Sequence, residues 1–206
     1  MTRKEELRES IRSRLRALPA EEIAWKSYQL CNALLQHPAW QEARIVALFA
    51  SLPTEPVVEF LWDGIRQDRK KACYPKVNGE NLSLITVADP TELVTSRWQL
   101  REPVMREPNL QSLEKIDLIL VPGLAFSRDG QRMGRGGGFY DRLLARESLR
   151  AHKIGICFDM QIFRDLPLES HDIIMDEIAT ESGVFHRSQI PEVQEAHACD
   201  PENPPA

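Results

Sequence analysis

The sequence predicts an α/β fold: a three-layer, Rossmann-like domain with a mixed, mostly parallel sheet and helices on both sides. Three observations carry this. Short apolar runs suited to buried strands, at residues 44–50, 116–121 and 153–158, alternate with amphipathic helical segments. Six of the ten glycines crowd into residues 123–138, between one of those strands and the next helix. The chain has 206 residues, 42% hydrophobic and 28% charged, which suits one soluble domain with a proper core.

Taken in order, residues 4–18 read as an amphipathic helix with Leu7, Ile11, Leu15 and Leu18 on one stripe. Lys4, Arg8 and Arg12 recur every four residues on another face, a pattern that by itself describes a solvated basic surface. A second helix covers residues 20–36, and Pro38 follows its end. The strand at 44–50 runs into SLPTEP and then an amphipathic helix reaching about Asp68. Ligands of open α/β sheets gather beyond the carboxyl ends of strands, so Glu55 reads either as a ligand contact or as the acidic residue of a helix's first turn. Residues 70–77 form a strand with Pro75 at its end, paired through the Asn78-Gly79 turn with a strand at 82–87. Residues 91–108 are irregular, with Trp98 as a packing anchor, and residues 178–180 form a last short strand. His171 and Asp172 fall in a polar turn, followed by Asp176. Residues 1–186 are expected to be the single domain, and 187–206, acidic and Pro-containing, a disordered tail.

The glycine segment carries the chemistry. Gly134-Arg135-Gly136-Gly137-Gly138 follows a buried strand, and Phe139, Leu143 and Leu144 recur at helical spacing after it. Glycine lets a backbone approach an anion closely, and the first N–H groups of a helix lack intrahelical partners. A lone GxG reads as a flexible loop. Three adjacent glycines flanked by Arg132, Arg135 and a Tyr-Asp-Arg read as a phosphate site, with Asp141 positioned to carry a magnesium ion. The segment is not a P-loop, because no Gly-Lys-Ser/Thr follows, and Phe139 stands where a dinucleotide fingerprint needs its last glycine.

A net charge of −5 without a basic stripe argues against a nucleic-acid coat. Cys31, Cys73, Cys157 and Cys199 are far apart and read as free thiols. The charged start, MTRKEELRES, is no signal peptide, and no apolar run spans a membrane, so a cytoplasmic protein is expected.

These blocks together resemble the 5-formyltetrahydrofolate cyclo-ligase (methenyltetrahydrofolate synthetase) family. The resemblance rests on KEELR, RIVALFASLPTE, KACYPKV, DLILVPGLAFSRDGQRMGRGGGFYDRLL, IGICFDMQ and LPLESHDIIMDEIATESGV, in that order. It implies a fold akin to the sugar-phosphate isomerase and CoA-transferase group. It also implies ATP as cosubstrate, bound through Lys4, Arg8 and the loop Arg132, Met133, Gly134, Arg135, Gly136, Gly137, Gly138, Phe139 and Tyr140. Magnesium is implied at Asp141 and Asp172, and the reduced folate at Ala50, Glu55, Arg135, Gly136, Gly137, Gly138 and Phe139. Arg135 and Lys4 are the expected catalytic cations, and the chain is expected to be a monomer or weak dimer. Many members have two tyrosines before the Asp. Here Phe139 replaces the first, losing a phenol hydrogen bond but keeping an aromatic face. A sugar-phosphate isomerase or CoA-transferase relative would need an acid/base pair acting on a carbonyl. A non-catalytic binder with a drifting site would have lost one of Lys4, Glu55, Arg135, Asp141 or Asp172.

Overall fold

A computed structural model describes residues 2–96, 100–166 and 173–187. Helix α1 (Arg3–Arg16) opens with a capping box. The Thr2 N–H donates to Glu5 Oε2 at 2.7 Å, and the Thr2 side chain accepts from the Glu5 N–H. Helix α2 (Ala20–Leu35) buries Ile23, Leu30, Cys31 and Leu34. Pro38 does not merely follow α2: it begins a short helix, α3 (Pro38–Glu42), whose cap is the His37 side chain accepting from the Ala39 N–H. Strand β1 (Ile45–Ala47) is shorter than the apolar run that predicts it. The amphipathic segment after the SLPTEP loop divides into a 3-10 turn, Val58–Leu61, and helix α4 (Trp62–Gln67).

Strand β2 (Lys71–Asn78) and strand β3 (Asn81–Val87) form the expected hairpin, with Asn78 opposite Asn81. Pro75 lies inside β2 rather than at its end. β1 pairs with β2 only as far as Cys73, so Pro75 falls where the strand has one neighbour and a missing N–H is tolerated. Two short strands, β4 (Val94–Thr95) and β5 (Arg101–Glu102), pair within the segment predicted to be irregular, and Trp98 lies outside the described residues. Strand β6 (Leu118–Pro122) leads to a small hairpin of β7 (Ala125–Ser127) and β8 (Arg132–Met133), and helix α5 (Phe139–Leu144) starts at the end of the glycine run. Strands β9 (His152–Ile156), β10 (Ile162–Phe163), β11 (Glu177–Thr180) and β12 (Gly183–His186) complete the chain. Of the strands after β6, the sequence predicts only β9 and β11; β7, β8, β10 and β12 have no counterpart in it. The expected tail lies almost wholly outside the described residues.

The main sheet has the order β12-β11-β9-β6-β1-β2-β3, parallel through its centre and antiparallel at both edges. Alternation along the central strands separates two cores. Leu118 and Leu120 of β6 face α2, α3 and α4, where Leu34, Trp40 and Trp62 are buried. Ile119 and Val121 face α5 with Leu143 and Leu144. Each fully buried Leu or Trp here contributes on the order of 2 kcal/mol against the cost of ordering the chain. The stripe of α1 packs Ile11 and Leu15 onto Met133, Leu124 and Phe158, which fixes α1 beside the glycine loop. Among the described residues no helix is long and apolar enough to cross a membrane.

Candidate active site

β1 and β6 are parallel neighbours, so the loops leaving their carboxyl ends emerge together on one side of the sheet. The first carries Glu55, and the second leads to the glycine run. Between these loops and the β2–β3 hairpin lies a cavity of about 250 Å³. Phe49, Ala50, Val77, Leu82, Leu100 and Phe139 give it apolar walls, while Glu55, Arg132, Arg135 and Asp141 stand at its polar end.

Glu55 is not part of a helix. Its loop is folded by serines: Ser51 Oγ donates to the Pro56 carbonyl at 2.7 Å, and the Val57 N–H donates to the buried Ser27 Oγ at 2.9 Å. Glu55 Oε2 accepts from the Leu52 N–H at 3.0 Å, which turns Oε1 to Arg135 Nε, 2.9 Å away. Glu55 is buried, with its side chain only 8% exposed, and Arg135 offsets the charge that burial disfavours.

The glycine loop is shaped at two positions. Gly136 has φ +107° and Gly138, the residue before α5, has φ +66°, conformations that side chains disfavour. Outside the loop, Arg8 Nε donates to the Gly134 carbonyl and Arg12 Nη2 to the Arg135 carbonyl, both at 3.2 Å. Arg142 Nη2 donates to the Gly137 carbonyl at 3.2 Å, with its guanidinium 5.0 Å over the Phe139 ring. Among the described residues, the N–H groups of Arg135, Gly136, Gly137 and Gly138 donate to no other group of the chain. Consecutive N–H groups left in this state are suited to an anion.

Arg132 is buried, and its guanidinium is held by the Pro122 carbonyl at 3.1 Å, by Asp141 Oδ1 and by the face of Tyr140 at 5.7 Å. It therefore anchors Asp141 rather than standing free. Burial, together with nearby Glu55, raises the Tyr140 hydroxyl well above the ordinary phenol range, so it stays a neutral donor. Asp141 keeps Oδ2 for another partner. Magnesium takes one or two carboxylates and completes its shell with phosphate oxygens and water, so this donor fits that ion. Among the described residues no group of three or more His, Cys, Asp or Glu is arranged to hold a metal alone.

The residues expected at the site are thus brought together with some exceptions. Met133 is buried against α1, in the core rather than at the cavity. Lys4 lies on α1 one turn before Arg8, outside the cavity wall. Asp172 lies outside the described residues. Sequence reasoning missed Glu102, which lines the cavity and accepts from Lys76 Nζ at 2.9 Å and from the Val77 N–H at 3.0 Å. It also missed the contacts of Arg12 and Arg142 with the loop. Arg12 had a signal, since it continues the Lys4–Arg8 spacing; Glu102 had none.

The fold and site define an α/β protein with a largely apolar cavity bordered by two carboxylate–arginine pairs and a glycine-rich loop. Residues 1–181 match the model of the 5-formyltetrahydrofolate cyclo-ligase family. The 5-formyltetrahydrofolate cyclo-ligase of Escherichia coli K12 is 32% identical over 180 residues, covering 85% of this chain and 98% of that protein. The mouse protein of the same name is 28% identical, covering 85% and 92%. The solution structure of Aquifex aeolicus 5,10-methenyltetrahydrofolate synthetase superposes with a TM-score of 0.80 at 30% identity, over 96% of this chain and all of that one. The chain belongs to the 5-formyltetrahydrofolate cyclo-ligase family, and it is an enzyme of the ligase class.

Proposed function

We propose that the protein converts 5-formyltetrahydrofolate to 5,10-methenyltetrahydrofolate with ATP and magnesium, releasing ADP and phosphate. The observation that carries this is the Arg135–Glu55 pair, which joins the apolar cavity to the anion loop at 2.9 Å. A folate ring fits the apolar side, with Phe139 offering an aromatic face and Ala50 and Glu55 at its edge. The ATP phosphates fit the loop N–H groups, Arg8 and Lys4.

The formyl oxygen attacks the γ-phosphorus, forming a new O–P bond as the bond to ADP breaks. N10 then attacks the formyl carbon and loses its proton, and the C–O bond breaks as phosphate leaves. Phosphoryl transfer needs alignment and charge neutralisation more than covalent help from the protein. Arg135 sits on the boundary where the formyl oxygen and the phosphate would meet, and it contributes a fixed positive charge there. Asp141 and, as the family resemblance implies, Asp172 would hold magnesium, which would supply further neutralisation of the phosphates. Glu55 orients Arg135 and offers acceptors to the folate.

The test is direct. Purified protein, 5-formyltetrahydrofolate, ATP and magnesium should produce the near-ultraviolet band of the methenyl product. Omitting ATP or magnesium should abolish it. Appearance of the band without ATP, or its absence from the complete mixture, sinks the reading.

A further inference from the structure

The basic face of α1 extends one turn beyond the two residues assigned to nucleotide. Arg12 Nη2 reaches across to the carbonyl of Arg135 at 3.2 Å, joining residues 123 apart in sequence. It also touches Glu9 at 3.5 Å, a weak surface pair, and its side chain is 31% exposed. The loop contact is the one with consequences.

In a planar trans peptide the C=O of one residue and the N–H of the next point in opposite directions. Holding the Arg135 carbonyl from the α1 side therefore turns the Gly136 N–H away from α1. Arg8 does the same to the Gly134 carbonyl and so to the Arg135 N–H, and Arg142 to the Gly137 carbonyl and the Gly138 N–H. Three guanidinium groups outside the loop thus fix the peptide planes whose N–H groups have no acceptor among the described residues. Gly136, at φ +107°, has no side chain to lock this orientation, so an outside partner is needed.

We infer that Arg12 is a positioning residue of the anion loop. It acts on the ATP phosphates through the Arg135–Gly136 peptide without touching them. The inference rests on the nucleotide reading of this pocket. It also assigns the third cation of the Lys4–Arg8–Arg12 series, which that reading leaves unused.

The experiment compares Arg12→Ala and Arg12→Lys with the unaltered full chain in two assays. The first is limited trypsin digestion without ligand, following cleavage between Arg135 and Gly136 by mass spectrometry. The second is calorimetric titration with ATP and magnesium. Loss of the carbonyl anchor should speed cleavage at Arg135 several-fold, roughly in proportion to loop opening. It should also weaken ATP binding by about tenfold, the effect of one hydrogen bond from a charged donor. Arg12→Lys, which still offers a donor to one carbonyl, should recover most of both. Unchanged cleavage at Arg135 overturns the inference whatever ATP does. Faster cleavage with undiminished ATP affinity overturns the claim that the orientation serves the nucleotide. Failure of the unaltered protein to bind ATP is a different result: it sinks the nucleotide reading, and with it the purpose given to Arg12, while the digestion still decides the anchoring.

Discussion

Arg135 Nε and Glu55 Oε1 lie 2.9 Å apart, with the glutamate side chain 8% exposed and the arginine 36%. The two come from loops 80 residues apart, after strands that adjoin in the sheet. The pair thus reports whether both strand ends are correctly built. Its exposed half keeps its contribution to stability small. Its value is in holding a cation at one place on the cavity wall.

Arg135→Ala should lower turnover by on the order of 10²-fold or more, the size expected for a group that stabilises developing charge. Turnover measured with both substrates saturating decides this, and an unchanged value contradicts the role. Glu55→Ala should also lose activity, partly by freeing Arg135. The double variant should then lose about tenfold less than the product of the two single losses. Simple multiplication of the losses would mean that the two act independently.

Gly136→Ala should weaken ATP binding without unfolding the protein. At φ +107° a side chain costs about 1–3 kcal/mol, and the loop escapes by moving. Calorimetry should find ATP affinity reduced by roughly the tenfold or more that this strain corresponds to. Full affinity would show that the observed loop shape is not the one that binds.

Much of this was readable in the chain, and the failures have physical causes. Strand β6 and the buried second half of β9 announce themselves as continuous apolar runs. The glycine loop announces itself because Gly136 and Gly138 are in conformations few other residues accept. Pro38 reads in the sequence as the stop after α2, yet proline also suits a first helical turn, and the His37 side chain caps α3 there. β12 has no fully buried residue, and so no alternating pattern to find. The Glu102–Lys76 pair depends on β5 lying against β2, a tertiary event that spacing does not encode. Arg132 is similar: its charge was visible, but its burial against Asp141 was not.

Phe139→Tyr should leave the folate KM within about threefold of the unaltered value, because the aromatic face is retained. Phe139→Ala should raise it by roughly tenfold, removing both that face and the surface under Arg142. Equal KM values for the two variants would mean that the ring does not touch the folate.

Burial pushes the thiols of Cys31 and Cys73 up to about 12 from an ordinary value of 9.0, with Glu59 adding to the effect at Cys31. The folded protein therefore keeps protons that the unfolded chain releases above about pH 9, and stability falls from there towards about pH 12. Each thiol contributes a loss of up to roughly 1.4 kcal/mol per pH unit in that window. Thermal melts across the range should lose stability less steeply in a Cys31→Ala/Cys73→Ala variant. An identical slope would place the alkaline transition elsewhere.

The destination of the formyl oxygen tests the mechanism most directly. If the pocket directs it onto the γ-phosphorus, substrate labelled with heavy oxygen at the formyl group should deliver that label to the inorganic phosphate, one atom per methenyl product. Mass spectrometry of the phosphate reads it. Unlabelled phosphate formed alongside methenyl product would contradict the mechanism and leave the Arg135–Glu55 boundary without its proposed task.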